Sequence, residues 1–513
     1  MRFCLAATFV GFLSANAASG DAHVKKLHQR LDVNQDGLIS PQEYQNYWKE
    51  RFQRRDKDKN GLINDAELGR GSIKPLDRNR DGVISLAEEV HFRQKLFDLM
   101  DKDRDALLTL SEMNDRSQSE SASENSNAVP SAPLDFVALR ASVEALSELT
   151  DTPKMWLAEG FDSTDDLAAV YFDALDWKGQ ATKVFAWLGF PKERKEKMPA
   201  IVLVHGGGGT AFKEWVELWN ARGYVAISIG VEGQTSRRAG KGWAPHEWAG
   251  PQRQGIYGDS SEALTDQWMY HAVADTILAH SLLRSLPEVD TDQVGIMGIS
   301  WGGVITSTVI GIDARFVFAI PTYGCGGLAT AANQYGRALG NNQVYQQVWD
   351  PILRLNQASM PTLWYSWPGD QHFPLDIQAA NYAATPGPYM VSLVPNMGHS
   401  HNAAWDRPES YAFADSVTRE GGMWCRQVKS SLRKDTCRAT FRSSKPLDAA
   451  VLVSTVDGGV TGDRQWVETP LARPEPRGVN WIVQAEVPEG STAWFINVKS
   501  GDLVASSGFF EAE

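Results

Sequence analysis

The stretch Val294–Ile312 restricts the fold of this chain more than any other. Val294–Met297 is a short apolar run that reads as a buried strand, and Val304–Ile312 reads as a helix. Between them stands Gly298-Ile299-Ser300-Trp301-Gly302. A serine on so tight a strand-to-helix turn is pushed into a sparsely populated backbone conformation, and glycines two residues before and after it relieve the crowding. The turn lifts Ser300 Oγ above the end of the strand and aims the Trp301 backbone N–H at the same space. Small residues cluster by chance in a long chain, so the surroundings decide whether this is a nucleophile elbow.

Those surroundings alternate strands and helices over residues 135–420. Phe136–Leu149 reads as a lead-in helix, and Val170–Leu175 and Lys183–Leu188 as first strands. Ile201–Val204 is strongly apolar and runs into His205-Gly206-Gly207-Gly208-Gly209. Phe212–Ala221 follows as a helix, Val225–Ile229 as a strand and Asp266–Leu286 as the helix before the elbow. Phe316–Ile320, Thr362–Ser366 and Met390–Val394 complete the strands, and Glu409–Val417 closes the domain as a helix. This alternation predicts a mostly parallel sheet with helices on both faces, an α/β class in which ligands sit at the carboxyl ends of the strands. From Met423 the pattern changes to short alternating runs, and residues 421–513 read as a small β-sandwich. Cys425 and Cys437, close in sequence at its entry, are expected to form a disulfide, while Cys325 stands alone as a core residue.

A serine hydroxyl needs a base, an orienting acid and an oxyanion site before it is a useful nucleophile near neutral pH. Asp370, in WPGDQHF after the strand Thr362–Ser366, is the expected acid, with Asp376 and Asp406 as competitors. His399, in NMGHSH after the next strand, is the expected base, with His401 as the alternative. His372 reads as a pocket or surface residue. The glycine run after Val204 is where a second oxyanion N–H is needed, from Gly206, Gly207 or Gly208, beside that of Trp301. No Gly-Lys-Ser/Thr follows it, so it is not a phosphate loop. The long segment Val231–Thr265 carries Trp243, His246, Trp248, Arg253 and Tyr257 and reads as an ordered wall. Trp243 and Trp248 are its candidate substrate-binding residues, because indole rings stack on sugars.

The first quarter of the chain repeats an oxygen-rich loop four times. The first copy offers Asp32, Asn34, Asp36, Ser40 and Glu43, with the Leu38 carbonyl; the second offers Asp56, Asp58, Asn60, Asn64 and Glu67, with that of Leu62. The third has Asp77, Asn79, Asp81, Ser85 and Glu88 with Val83, and the fourth Asp101, Asp103, Asp105, Thr109 and Glu112 with Leu107. Each is a loop of about twelve residues whose oxygens suit a hard cation such as Ca²⁺, and glycine at the sixth position permits the sharp bend. The fourth has Ala106 there. These loops resemble EF-hands, and the helical runs around them favour EF-hand pairs over dockerin repeats. Six basic side chains (Lys57, Lys59, Arg78, Arg80, Lys102 and Arg104) should weaken binding toward a structural role. The module spans residues 18–113. Ahead of it, residues 1–17 read as a cleavable secretory signal, since an apolar run from Phe3 to Leu13 ends in Ala15-Asn16-Ala17. Residues 114–134 are Ser/Asn-rich and read as a flexible linker. A formal net charge of −13 argues against nucleic acid or an anionic membrane as partner.

HGGGGTAFKEW, GISWGG, DARFVFAIPTYGCGG, PTLWYSWPGD and MGHSHNAAWDRPESYAFADS resemble a bacterial secreted α/β-hydrolase family, acetylxylan-esterase-like or dienelactone-hydrolase-like and related to prolyl-oligopeptidase-type hydrolases. The resemblance runs from about residue 150 to the C-terminus, and the four loops are an addition to it. It implies a Ser300/Asp370/His399 triad acting through an acyl-enzyme without a cofactor, with an acylated carbohydrate as substrate. Pro368-Gly369-Asp370 replaces the Gly-Thr-Asn-Asp of many relatives and keeps the aspartate. The rival readings are a prolyl-oligopeptidase-like peptidase or small-ester hydrolase, and a calcium-dependent binding or matrix protein with an inactive hydrolase domain. A partner protein or surface for the calcium module belongs to either reading.

Overall fold

The computed structural model describes residues 27–34, 36–64, 134–240 and 242–512, together with 67, 83–86, 88–90, 93, 97 and 107–109. The signal expected at 1–17, most of the linker, and Asp77, Asn79, Asp81, Asp101, Asp103, Asp105 and Glu112 lie outside the described residues. The chain divides into two compact units, Met1–Ala132 and Pro133–Glu513.

In the first unit the first two loops, whose candidate ligands are all among the described residues, are closed by their own acids. Asp32 accepts from the N–H groups of Asp36 and Gly37, and Asp56 accepts from those of Asn60 and Gly61. Gly37 and Gly61 have φ of 83° and 80°, the left-handed turn that a glycine adopts without strain. Ser40 caps the helix Pro41–Arg55 in a reciprocal pair with Glu43. Short strands couple the loops, Leu62–Ile63 with Ile84–Ser85 and Leu38–Ile39 with Leu108–Thr109. The second loop is thus paired with the third, and the first with the fourth. Leu31, Ile39, Tyr44, Trp48, Phe97 and Leu108 form the core beneath them.

The second unit is built on one large sheet. Its strands are β1 (Met155–Leu157), β2 (Leu167–Asp173), β3 (Lys183–Gly189), β4 (Met198–Val204), β5 (Val225–Ile229), β6 (Val289–Ile299), β7 (Phe318–Thr322), β8 (Thr362–Ser366) and β9 (Tyr389–Leu393). Spatially the central run is β5-β4-β6-β7-β8-β9, all parallel. β4, β5 and β7 are apolar at nearly every position, and these strands and β8 are buried on both faces, as a helix-covered parallel sheet requires. The helix α1 (Trp268–Ser285) precedes the elbow strand, and α2 (Trp301–Val309) follows it, starting earlier than the apolar run alone indicates. β3, β2 and β1 continue one edge antiparallel.

The C-terminal strands do not make a free-standing sandwich. Leu503–Ser506 pairs antiparallel with β9, so Ala493–Ser500, Ala449–Thr455 and Val467–Pro470 extend the central sheet. Cys425–Arg433, Thr436–Ser443, Asn480–Glu486 and Glu475–Arg477 form a separate four-stranded sheet, whose first strand packs against β9. The expected disulfide is absent: Cys325, Cys425 and Cys437 are all free and buried. Cys425 lies opposite Ser443 and Cys437 opposite Leu432, so the two thiols stand six residues apart along the hairpin, about 20 Å at strand spacing. A disulfide needs Cα atoms within about 7 Å, which this register forbids.

Unfolding without reductant should therefore make all three thiols available. Intact mass after alkylation in denaturant should show Cys325, Cys425 and Cys437 modified alike whether or not the protein was first reduced.

Candidate active site

The parallel strands deliver the candidate residues at their carboxyl ends. The glycine run follows β4, Ser300 follows β6, Asp370 follows β8 and His399 follows β9. Ser300 sits at φ 58°, ψ −117°, a region that costs a non-glycine residue about 1–3 kcal/mol. Its N–H donates to Thr322 O at 2.8 Å and its carbonyl accepts from Val304 N–H at 3.0 Å, which holds the turn between β7 and α2. A Cβ on Gly298 would lie 2.0 Å from Gly302 O, and one on Gly302 would lie 2.0 Å from Val204 O. Both glycines are thus required by close backbone approach.

The structure brings Ser300, His399 and Asp370 into one hydrogen-bonded line. His399 Nε2 is 3.0 Å from Ser300 Oγ, and its Nδ1 is 2.8 Å from Asp370 Oδ2. Asp370 is buried, and its Oδ1 accepts from the N–H groups of His372 and Phe373 at 2.8 and 2.9 Å. A carboxylate fixed in this way holds the Nδ1–H tautomer and leaves Nε2 to accept from the serine. Phe373 lies parallel to the His399 ring at 6.0 Å and Tyr323 tilts against it at 4.6 Å. Asp376 and Asp406 are exposed and neither bonds to a histidine.

His401 does something else. Its Nε2 accepts from Gly206 N–H at 2.8 Å, and its ring packs on Phe212 and Trp405. On the other side of the same glycine, His205 Nδ1 meets Gly206 O at 2.7 Å while its Nε2 accepts from Val231 N–H at 3.1 Å. A backbone N–H can only donate, so each histidine presents a bare Nε2 and carries its proton on Nδ1. Burial pushes His401 down to about 3 and also lowers fully buried His205, so both stay neutral. With Gly206 N–H taken by His401, Gly208 O held by Trp243 Nε1 at 3.0 Å and Gly209 O held by Gln234 Nε2, the glycine run is braced along its length. Gly207 lies against the elbow: a Cβ there would sit 2.8 Å from both Trp301 Cδ1 and Arg253 Nη2.

The wall segment is ordered, and its tryptophans have separate tasks. Trp243 lies on the hairpin Gln234–Ala239/Gly242–Pro245, with Arg238 stacked 3.6 Å above its ring. Trp248 is set against Tyr171 and Lys183 and bonds to neither the triad nor the glycine run. Arg253 pairs with Glu232 at 3.0 Å and lies over Trp301, whose buried ring packs with Tyr257, Trp268 and Tyr335. The aromatic flank of His399 and the bracing role of His401 escape sequence reading; the one signal for the latter is the repeated histidine in HSH.

Residues 130–325 match the family model described as Acetyl xylan esterase (AXE1), and residues 29–46 match an EF hand model. The esterase match includes the glycine run and the elbow and ends before Asp370 and His399. No curated protein matches the chain. Among solved structures, it is similar to an acetyl xylan esterase from Paenibacillus sp. R4 (21% identity, 53% of this chain and 90% of that one, TM-score 0.41). It is also similar to acetyl xylan esterase 1 from Thermoanaerobacterium sp. JW/SL YS485 (19% identity, 52% and 89%, TM-score 0.42). A third likeness is to the Pyrococcus horikoshii acylaminoacyl peptidase (19% identity, 47% and 39%, TM-score 0.36).

The neutral histidines set a direction for acid stability. Burial lowers His401 to about 3 and His246 to about 4, below the ordinary histidine value of 6.5. Below pH 6.5 the unfolded chain takes up protons that the folded chain refuses, so their contribution is complete above that pH and lost as pH falls through this window. The urea midpoint should fall steadily from pH 6.5 toward 4, and His401→Gln should reduce the slope by about one proton.

Proposed function

We propose that this protein is a serine carboxylic ester hydrolase that removes acyl groups, acetyl foremost, from carbohydrate. The observation that carries the reading is the unbroken line from Ser300 Oγ through His399 to buried Asp370 at the mouth of an esterase-like sheet. In the first step His399 Nε2 takes the Ser300 proton as Oγ bonds to the ester carbonyl carbon. The carbonyl oxygen, now an oxyanion, accepts hydrogen bonds from Trp301 N–H, at the start of α2, and from Gly207 N–H. Gly206, whose N–H is engaged by His401, drops out as the second donor. Collapse breaks the bond to the alcohol, which leaves with the proton carried by His399. Water then attacks the acyl-enzyme by the same route in reverse and releases the acid.

The N-terminal loops complete the reading as calcium sites. Asp56, Asp58 and Glu67 each place a carboxylate oxygen within 4.8 Å of the others, a concentration of negative charge that a divalent cation would offset. Bound there, Ca²⁺ would brace the loop; it has no part in the acyl transfer. Export belongs to the same reading, on the apolar stretch that opens the chain.

Wild-type protein should release acid from short-chain esters and from acetylated xylan, and a fluorophosphonate should label it. Ser300→Ala should remove both, at a cost on the order of 10⁶ in kcat. His399→Ala should lose about 10⁴-fold or more, and His401→Ala about 10²-fold by loosening the oxyanion loop. Equal losses in the two histidine variants would show that His401 does more than brace. Peptide cleavage without ester cleavage would favour the peptidase reading.

Calcium is expected to act on stability. Chelation should lower the first melting transition of the full chain and leave ester turnover within about twofold, since a Ser/Asn-rich connection transmits little strain. Terbium luminescence should report sites of roughly 10⁻⁴–10⁻³ M affinity and weaken in Glu67→Gln.

A further inference from the structure

We propose that the cleft beside His399, walled by residues 460–468 of the C-terminal segment, receives the alcohol half of the ester and is shaped for a sugar chain; this rests on the ester-hydrolase reading above. The histidine that takes the serine proton returns it to the departing alkoxide, so the alcohol must lie against His399 Nε2. The carbonyl oxygen lies on the other side of Ser300, toward Trp301 and the glycine run. A cleft of about 570 Å³ opens on the histidine side; His399 stands in its wall, whereas Ser300, Trp301 and Gly206–Gly208 do not. Trp367 and His372 of the acid loop line it, together with Gln465, Trp466 and Glu468 of the C-terminal segment.

Its volume is that of a small-molecule site and exceeds what a simple alcohol would fill. Its chemistry is mixed in the way a sugar requires. A pyranose ring offers apolar C–H faces that pack on aromatic rings, and a rim of hydroxyls that need hydrogen-bonding partners. Trp367 and Trp466 supply the first; Gln465, Glu468 and His372 supply the second. Trp466 is set before any ligand arrives, since its indole N–H donates to Thr461 O at 3.0 Å and Phe495 and Phe509 back its ring. Gln465 and Glu468 are exposed, and their side chains make no hydrogen bond among the described residues. The wall is also locked to the catalytic acid. Gln371 Nε2 donates to Asp463 at 2.7 Å and Leu375 N–H to Thr461 Oγ1 at 2.8 Å. A Cβ on Gly462 would meet Asp370 O at 2.2 Å.

The test compares two acetyl esters that differ only in the alcohol, an acetylated xylo-oligosaccharide and methyl acetate, in the full chain. In Gln465→Ala/Glu468→Ala and in Trp466→Ala, kcat/KM for the oligosaccharide should fall about tenfold further than that for methyl acetate, chiefly through KM. Trp466→Phe should recover most of the loss, because a ring remains. A proportional loss on both substrates would overturn the proposal and reduce the segment to a support for the acid loop. So would undiminished selectivity in all three variants. A wild-type protein that cleaves neither ester removes the hydrolase reading itself, a failure seen before any variant is made.

Discussion

Everything at this site depends on a serine backbone in a conformation it would not adopt alone. Ser300 at φ 58°, ψ −117° is tolerated because the surrounding sheet determines it from three directions. β7 accepts its N–H, α2 starts from its carbonyl, and the backbone of β4 presses on Gly302 from below. The same closeness recurs one strand over, where a Cβ on Gly324 would lie 2.1 Å from Gly303 C. Helix and sheet therefore meet backbone to backbone under Ser300. That contact places Ser300 Oγ and the Trp301 N–H together, and any side chain inserted there would move both.

The histidines around the elbow divide by what they bond. His205 and His401 hold the two backbone groups of one residue, the Gly206 carbonyl and N–H, and burial keeps both rings neutral. A neutral imidazole is a rigid connector with one donor and one acceptor, suited to fixing a glycine-rich loop in place. His399 is placed differently. It is partly exposed, and its two ring nitrogens face Ser300 Oγ on one side and a buried carboxylate on the other. Three histidines near one serine thus serve two purposes, and their surroundings assign them.

Much of this was legible in the chain. The parallel strands show as apolar runs, and the elbow shows because its glycines are sterically required; Asp370 and His399 follow from their places after β8 and β9. The choice of His399 over His401 could be read only as order after a strand, since two residues of separation decide which ring meets Oγ and which meets Gly206. The disulfide failed for a related reason. Eleven residues between Cys425 and Cys437 say nothing about hairpin register, and the turn at Lys434–Asp435 puts Cys437 beside Leu432. The sandwich failed because alternation identifies a half-buried antiparallel strand without saying which sheet it joins. Here one strand, Leu503–Ser506, found the open edge of β9.

That edge has consequences for how the second unit is organised. An exposed β9 would carry a row of unpaired backbone groups beside the loop that bears His399. The C-terminal strands cover it, and Asn497 Nδ2 donates to Leu393 O at 2.9 Å while Leu393 N–H donates to Ser506 Oγ at 2.8 Å, at the end of β9 itself. Earlier in the same segment, the Thr461–Asp463 turn is fitted against the peptide of Asp370 so closely that only glycine can occupy position 462. The segment after residue 421 is therefore no appendage to a finished domain. It closes the sheet at the strand that leads to His399 and presses on the loop that carries Asp370, so the line from Ser300 to Asp370 and the shape of the cleft beside it are fixed by the same contacts.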